Sequence, residues 1–323
     1  MPNYQGVWSL STQFQNASGW PKLDGTRGIF AGGEYQTNVI DFVTISTTGN
    51  ATDFGDLTVS LNYVVGGVSS STRGVFASAS STSDNTLGYI TIATAGNATD
   101  FGDLSVGRRN QVGGNSNGTR GVFAGGQSAS RNFEDVIDYI TIASTGNATD
   151  FGNLTQYQSD GRRQGGSGIN SGTRGVFISG LDNGSNFTNT IDYITIATTG
   201  NATDFGDSTN GVVSNFGASS STRGLNGGGM NSSYSDLNVI EYITIASTGN
   251  ATDFGDFLAT RSQSAGTSNL SRAIFGGGLV SGSSSNAIEY VTISTTGNGT
   301  DFGDLTAARK FLGACSNGHG GLQ

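Results

Sequence analysis

The chain has 323 residues, of which 53 are glycine, two are proline and 12% are charged, and its formal net charge is −9. Lys22 and Lys310 are the only lysines, so a nucleic-acid backbone would be repelled and we expect no nucleic-acid partner. One cysteine, Cys315, and one histidine, His319, cannot build a disulfide or a Cys/His metal site. We therefore expect no metal and no cofactor, and no stretch is apolar and long enough for membrane insertion.

Six copies of the element Gly-Asn-(Ala/Gly)-Thr-Asp-Phe-Gly recur along the chain. Their first residues are separated by 47, 50, 54, 49 and 48 positions, as subtraction of the residue numbers shows. A period near 50 indicates a repeat architecture and has to be interpreted before any single motif. The first residues of the six copies are Gly49, Gly96, Gly146, Gly200, Gly249 and Gly297.

Residues 1–25 do not match the repeat, so we divide the chain into this leader and one repeat domain, residues 26–323. The leader contains both tryptophans, Trp8 and Trp20. Indole rings are favoured in buried contacts, so these two either dock on another protein or pack against the chain's own domain. The leader lacks the basic and apolar regions of a signal peptide.

The units after Thr26 are built from four kinds of short predicted strand. The third unit shows them as the small-residue run Gly113–Ser116, the apolar run 121–126 that ends in two glycines, the β-branched run Val136–Ile142, and a short outer strand after the Gly-Asn turn. Gly-Asn favours a hairpin with positive φ. No segment has a helical period, so the sequence predicts an all-β protein.

Four strands in about 50 residues are typical of a β-propeller blade. The repeat resembles the kelch family in its paired glycines, in an acid followed by an aromatic residue, and in a phenylalanine where kelch units carry tryptophan. The second unit departs from this pattern at Ser78-Ala79 and Gly88, and the fifth at Asn226. The matching residues are Gly32-Gly33, Gly125-Gly126 and Gly277-Gly278; Asp41-Phe42, Asp138-Tyr139, Asp192-Tyr193, Glu241-Tyr242 and Glu289-Tyr290; and Phe54, Phe101, Phe151, Phe205, Phe254 and Phe302.

The first unit has no small-residue strand of its own, whereas a sixth such strand, Gly313–Ser316, lies at the end of the chain. We therefore predict a six-bladed, kelch-like propeller in which residues 306–323 supply the innermost strand of the blade that begins at Thr26. Such pairing would close the ring and remove its free edges.

Two sets of loops should emerge on opposite faces of such a ring. One set is nearly identical from unit to unit, and the other varies in length and type. Variable loops on a rigid scaffold are a common binding surface, so we predict recognition on the variable side. The candidate binding residues are Tyr35, Arg131, Phe133, Asn183, Phe187 and Tyr234.

Two further residue series invite interpretation. One arginine per unit (Arg27, Arg73, Arg120, Arg174, Arg223, Arg272) is predicted to pair between blades with the recurrent aspartate (Asp53, Asp100, Asp150, Asp204, Asp253, Asp301). The Asn-Ala-Thr-Asp turns are rich in oxygen, but they lack the alternating spacing of a calcium loop.

A catalytic site has little support, because the single histidine lies in the predicted closing segment and a Ser/His/Asp triad is improbable there. We expect a protein that is not an enzyme. A glycan hydrolase stays open as an alternative, since carboxylates occur in the variable loops. They are Glu34, Glu134, Asp135, Asp182 and Asp236.

The leader, residues 6–21, looks like the short segment that precedes propeller repeats in tailed-phage virion proteins. The Gly/Ser/Thr/Asn-rich units resemble those of marine and cyanobacterial phage structural proteins. This resemblance implies a virion component assembled in the host cytoplasm, either a tail fibre or a surface decoration protein. Its partners would be other virion proteins, further copies of itself and a host surface glycan or receptor. A cellular kelch-type interaction adaptor is the other alternative.

Overall fold

The structure is a computed structural model that describes residues 26–34, 37–61, 63–79, 85–108, 113–127, 134–155, 167–182 and 186–318. The predicted leader and His319 lie outside these ranges. The described residues form strands and turns, and none of them forms a helix long and apolar enough to cross a lipid bilayer.

The described residues contain 28 strands. In chain order they are β1 (Arg27–Ala31), β2 (Thr37–Thr44), β3 (Thr52–Leu61), β4 (Tyr63–Ser69), β5 (Arg73–Ala79), β6 (Thr86–Thr91), β7 (Thr99–Asp103), β8 (Gly113–Ser116), β9 (Arg120–Ala124), β10 (Val136–Thr141), β11 (Thr149–Asn153), β12 (Ser167–Asn170), β13 (Arg174–Leu181), β14 (Phe187–Thr195), β15 (Thr203–Asp207), β16 (Val212–Val213), β17 (Phe216–Ser219), β18 (Arg223–Gly227), β19 (Met230–Asn231), β20 (Leu237–Thr244), β21 (Thr252–Ser262), β22 (Ala265–Ser268), β23 (Arg272–Gly276), β24 (Leu279–Val280), β25 (Ser283–Ser284), β26 (Ala287–Thr292), β27 (Thr300–Asp304) and β28 (Gly313–Ser316).

These strands build a six-bladed β-propeller, as predicted. Each blade is an antiparallel meander of four strands, and the fifth blade is extended by β24 and β25. From the axis outward the blades are β28-β1-β2-β3, β4-β5-β6-β7, β8-β9-β10-β11, β12-β13-β14-β15, β17-β18-β20-β21 and β22-β23-β26-β27. We number them 1 to 6 in this order.

The ring is closed by the C-terminal strand, which confirms the predicted closure. β28 pairs antiparallel with β1, and Cys315 lies opposite Ile29 in the register. The innermost strand of every blade also packs against the innermost strands of both neighbouring blades. Blade 1 is therefore assembled from the two ends of the repeat domain.

Small residues line the axis because the innermost strands leave no room for larger ones. A β carbon on Gly67 would lie 2.4 Å from the carbonyl oxygen of Ala314, and one on Gly266 would lie 2.4 Å from that of Gly217. The strands leave an axial cavity of about 50 Å³. Gly313–Ser316 is an innermost strand, as predicted, and the other small-residue strands take the same place in their blades.

The hydrophobic core lies between blades and is repeated at each junction. At the junction of blades 2 and 3, Val75 and Leu87 of one blade pack with Phe123 and Ile140 of the next. All four are at most 3% exposed, and burial of each such side chain contributes roughly 1.5–3 kcal/mol. The β-branched and aromatic residues of the two middle strands thus hold adjacent blades together.

We call the side that carries the Gly-Asn turns the repeated face and the opposite side the variable face. On the repeated face each Gly-Asn turn binds the outer strand of the preceding blade. Gly96 N donates to Phe54 O at 2.7 Å, and Asn97 Oδ1 accepts from Asp56 N at 3.1 Å. A β carbon on Gly55 would lie 2.6 Å from the Gly96 carbonyl, so glycine is needed where the blades meet.

The arginine that recurs once in each unit does join adjacent blades, but the predicted aspartate partner is wrong. Arg120 Nη1 donates to Ile196 O of the next blade at 3.1 Å, and its guanidinium lies 4.2 Å from the centre of the Tyr139 ring in its own blade. A carbonyl oxygen and an aromatic face, rather than a carboxylate, therefore hold each guanidinium. The other contacts are Arg27 to Ile92, Arg73 to Ile142, Arg174 to Ile245, Arg223 to Ile293 and Arg272 to Ile45.

Candidate functional site at the junction of blades 4 and 5

A second series of arginines forms buried ion pairs at the junctions near the variable face, and it was not predicted from the sequence. In each pair an arginine from the connection between two blades contacts the acid on the third strand of the later blade. Arg108 Nη2 contacts Asp138 Oδ2 at 2.5 Å, and both side chains are fully buried. The guanidinium comes from the connection that enters blade 3, eight residues after Asp100. Burial lowers the pKa of Arg108, while the charge of Asp138 opposes this shift. The same pair recurs as Arg261–Glu289 at 2.7 Å and Arg309–Asp41 at 2.6 Å.

Blade 2 lacks both members of this pair. Gly88 replaces the acid, and Leu61 occupies the position eight residues after Asp53. A buried carboxylate needs a donor, and a buried guanidinium needs a carboxylate. The acid and the arginine are therefore lost together in blade 2, which accounts for Gly88, one of the departures from the repeat.

Blade 5 keeps the acid without the arginine. Glu241 is 4% exposed, and Val212 occupies the arginine position. One carboxylate oxygen of Glu241 accepts from Thr209 N at 2.8 Å and Thr209 Oγ1 at 2.7 Å. The other accepts from Asn226 Nδ2 at 2.8 Å, so Asn226, the second departure, replaces the arginine. A void of about 10 Å³ remains beside Glu241, room for about one water molecule.

The connection into blade 5 has a different course as a result. Val212 and Val213 form the short strand β16, which pairs with β19 in the loop between β18 and β20. Asn215 joins this ribbon to blade 4, because its Nδ2 donates to Ile178 O at 3.1 Å. Within the described residues, such a separate two-stranded ribbon occurs only at this junction.

A hairpin of blade 4 forms one wall beside the ribbon. β13 and β14 are longer than the equivalent strands of blade 3, and their pairing continues to Leu181 opposite Phe187. The Asp182 carboxylate then accepts from Asn186 N at 2.8 Å and from Asn186 Nδ2. These hydrogen bonds fix Asn186 and Phe187 at the rim of the variable face.

The turn after β19 forms the opposite wall and carries Tyr234. The side chain of Asn231 organises this turn, since its Oδ1 accepts from Ser233 N at 3.0 Å and from Ser235 N at 3.1 Å. Tyr234 N donates to Asn231 O at 2.8 Å. Tyr234 has a φ of 58°, a left-handed conformation that costs a non-glycine residue about 1–2 kcal/mol, and its side chain is 75% exposed.

The two walls enclose an open cleft of about 420 Å³, lined by Asn186, Phe187, Gly211, Ser232 and Tyr234. The Phe187 and Tyr234 rings meet edge to face, with centroids 6.0 Å apart and planes at 88°. Gly211 brings the connection against the hairpin, because a β carbon there would lie 2.9 Å from Phe187 O. None of the five lining residues is charged.

The structure thus brings together two of the six predicted binding residues, Phe187 and Tyr234. Asn186, Gly211 and Ser232 were missed, although the absence of arginine at Val212 was a usable signal. The other candidates lie outside the described residues, and this holds for Tyr35, Arg131, Phe133, Asn183, Trp8 and Trp20.

The carboxylates considered for hydrolysis lie outside this cleft. Glu34 pairs with Lys310 at 3.1 Å, and Asp182 is engaged with Asn186. Within the described ranges, no group of three or more His, Cys, Asp or Glu side chains is arranged to hold a metal ion. The cleft therefore offers aromatic surface and uncharged polar groups.

In comparisons with known proteins, no protein-family model matches the chain and no curated protein is found to be related to it.

Proposed function

We propose that the protein is a non-enzymatic binding protein that recognises its ligand through the variable face of the propeller. The cleft between blades 4 and 5 is its binding site. In this proposal the chain is a kelch-like component of a tailed-phage virion, a tail fibre or surface decoration, and the ligand is a host surface molecule or another virion protein. The virion assignment is supported by the resemblance of the leader and of the repeat composition.

The observation that supports this site is that several departures from the repeat meet at one junction. Val212 replaces arginine, Asn226 replaces phenylalanine, an extra ribbon forms, and Tyr234 adopts a left-handed conformation. Departures from a repeated pattern and costly backbone conformations tend to concentrate at functional sites. These departures produce an exposed aromatic cleft.

The chemistry of the cleft supports binding rather than catalysis. Its lining contains two aromatic rings, an amide, a hydroxyl and main-chain groups, and it includes no carboxylate, imidazole, thiol or amine to act as a general acid or base. A few polar groups around an apolar surface fix the orientation of a ligand.

A loop exchange in the full chain tests the proposal. Residues 230–236 would be replaced by the shorter turn Gly-Asn-Gly, and binding to candidate host cells and to purified host envelope fractions would be measured. We expect binding by the parent chain and at least a tenfold loss in the exchanged chain.

The matched control exchanges a repeated-face turn, Ser70–Arg73, for the blade 3 turn Asn117–Arg120 and should bind normally. Equal binding by all three chains would contradict the location of the site. Finding the chain in purified phage particles would support the virion assignment, and its absence from them would contradict it.

A further inference from the structure

We infer that the cleft between blades 4 and 5 binds an uncharged sugar ring of a surface glycan. This inference rests on the proposed function and specifies the ligand. It commits to a neutral saccharide rather than to an acidic glycan or a protein, and four properties of the cleft support it.

The first property is an open aromatic face. The Tyr234 side chain is 75% exposed, and Phe187 contacts it edge to face, which leaves ring surface free for a ligand. The face of an aromatic ring is electron rich, whereas one side of a pyranose presents several C–H groups. A sugar can therefore stack on Tyr234 without an ionic contact.

The second property is an uncharged polar rim. Asn186 and Ser232 are exposed at the cleft. Asp182 engages the Asn186 Nδ2, so Asn186 offers its Oδ1 as an acceptor, and the Ser232 hydroxyl both donates and accepts hydrogen bonds. Sugar hydroxyl groups also do both, so the rim matches their requirements. No lining residue is an arginine or lysine, and the chain has a net charge of −9. An acidic sugar would lack a counter-charge here.

The third property is size. A cleft of about 420 Å³ falls within the range of roughly 300–1,000 Å³ for small-molecule sites and accommodates one or two sugar rings. A stable protein interface buries about 800 Å² on each partner. Five lining residues provide much less surface than that, so the cleft suits a glycan better than a folded protein.

The fourth property is preorganisation. The Asn231 hydrogen bonds hold the Tyr234 turn, and the Asp182 hydrogen bonds hold Asn186. Both walls are thus in place before a ligand arrives, which reduces the entropy cost of binding. The backbone conformation at Tyr234 keeps its ring at the mouth of the cleft.

The test uses the full chain on an array of neutral and acidic oligosaccharides, followed by calorimetry with the strongest ligand. We expect binding to neutral glycans, at least a tenfold weaker affinity for Tyr234→Ala, and near-normal affinity for Tyr234→Phe, which keeps the ring. Leu258→Ala is the control, because this side chain is 65% exposed and does not line the cleft.

Four results would overturn the inference. Neutral glycans bound equally by Tyr234→Ala would place the sugar site elsewhere, and selective binding of acidic glycans would exclude the stated ligand; both leave recognition by the protein intact. Tyr234-dependent capture of a virion or host protein without glycan binding would also overturn the ligand class while supporting the proposed site. Absence of any Tyr234-dependent ligand would overturn both proposals.

Discussion

The junction between blades 2 and 3 and the junction between blades 4 and 5 satisfy the same requirement in different ways. Each has a buried acid on the third strand of the later blade, Asp138 or Glu241. Ser105 and Arg108 hold Asp138, whereas Thr209 and Asn226 hold Glu241. In the first arrangement, the segment that connects blade 2 to blade 3 supplies the buried arginine and so stabilises the junction.

In the second arrangement the connection still supplies Thr209, but it supplies no arginine. Because Asn226 belongs to the blade itself, the chain between Thr209 and Asn215 no longer has to carry an arginine inward. It forms β16, pairs with the loop that bears Tyr234, and contributes Gly211 to the cleft. The candidate binding site therefore lies at the junction that keeps the buried acid and lacks the arginine.

Replacing Arg108 by methionine should have the largest effect. Asp138 would remain buried without its counter-charge, and loss of one partner from a buried pair costs about 3–5 kcal/mol. Urea denaturation of the full chain would measure the change. Arg108→Met combined with Asp138→Asn should recover much of the loss, since no charge is then left unpaired. If the single variant lost less than about 1 kcal/mol of unfolding free energy, the pair would not be needed to stabilise the junction.

Arg309→Met should weaken the junction between blades 6 and 1, because it removes the buried partner of Asp41. Cys315 in β28 reports this change, because its side chain is 5% exposed and burial raises the pKa of its thiol. We expect at least a tenfold faster alkylation of Cys315 by iodoacetamide, and a larger rise than for Arg108→Met. Similar rates in both variants would show that β28 opens only with global unfolding.

The raised pKa of Cys315 also makes the stability of the native state depend on pH. A thiol whose pKa is raised by folding stabilises the native state fully below its ordinary pKa of about 8.5, and this contribution is lost as the pH rises further. Alkylation should therefore accelerate above about pH 8.5 by more than thiolate formation in a free peptide explains.

Asn226→Phe should have an intermediate effect, because it restores the phenylalanine of the other blades but removes a donor to Glu241. A buried acceptor left without its partner costs about 1–3 kcal/mol. Adding Val212→Arg rebuilds the arrangement of blade 3 and should recover part of this loss in thermal unfolding. If the double variant were less stable than Asn226→Phe alone, the two solutions would not be interchangeable.

Tyr234→Gly should have the smallest effect on stability. Glycine adopts the left-handed conformation without strain, so the free energy of unfolding should stay the same or rise by up to about 1 kcal/mol. Binding of a neutral glycan should nevertheless be lost. Differential scanning calorimetry beside the binding assay separates the two outcomes, and a clear drop in stability would mean that Tyr234 supports the fold.

The sequence was sufficient to predict the ring and its closure. The period of about 50 residues, the four strands in each unit and the displaced strand Gly313–Ser316 are properties of local pattern and strand count. Phe187 and Tyr234 could also be predicted as binding candidates from the sequence, because few aromatic residues lie in the variable loops. The contact between their rings could not be predicted, since it joins the loops of two blades.

The arginine contacts show where sequence reasoning failed. Arg120 and Asp150 suggested an ion pair by composition alone, but a guanidinium can also be held by a carbonyl and a ring, as Ile196 and Tyr139 do. The true pair, Arg108–Asp138, joins residues 30 positions apart across a junction. The sequence does indicate this pair, because blade 2 lacks both the arginine and the acid. Such a joint loss is seen only when the units are aligned position by position.

The narrow axis described above separates the two sides of the disc. A cavity of about 50 Å³ has space for only a few water molecules, so nothing the size of a sugar passes through the hub. Under the proposed function, attachment through the repeated face would leave the variable face open to a ligand. Attachment and recognition would then evolve independently, because a change that alters one side has no passage through which to disturb the other.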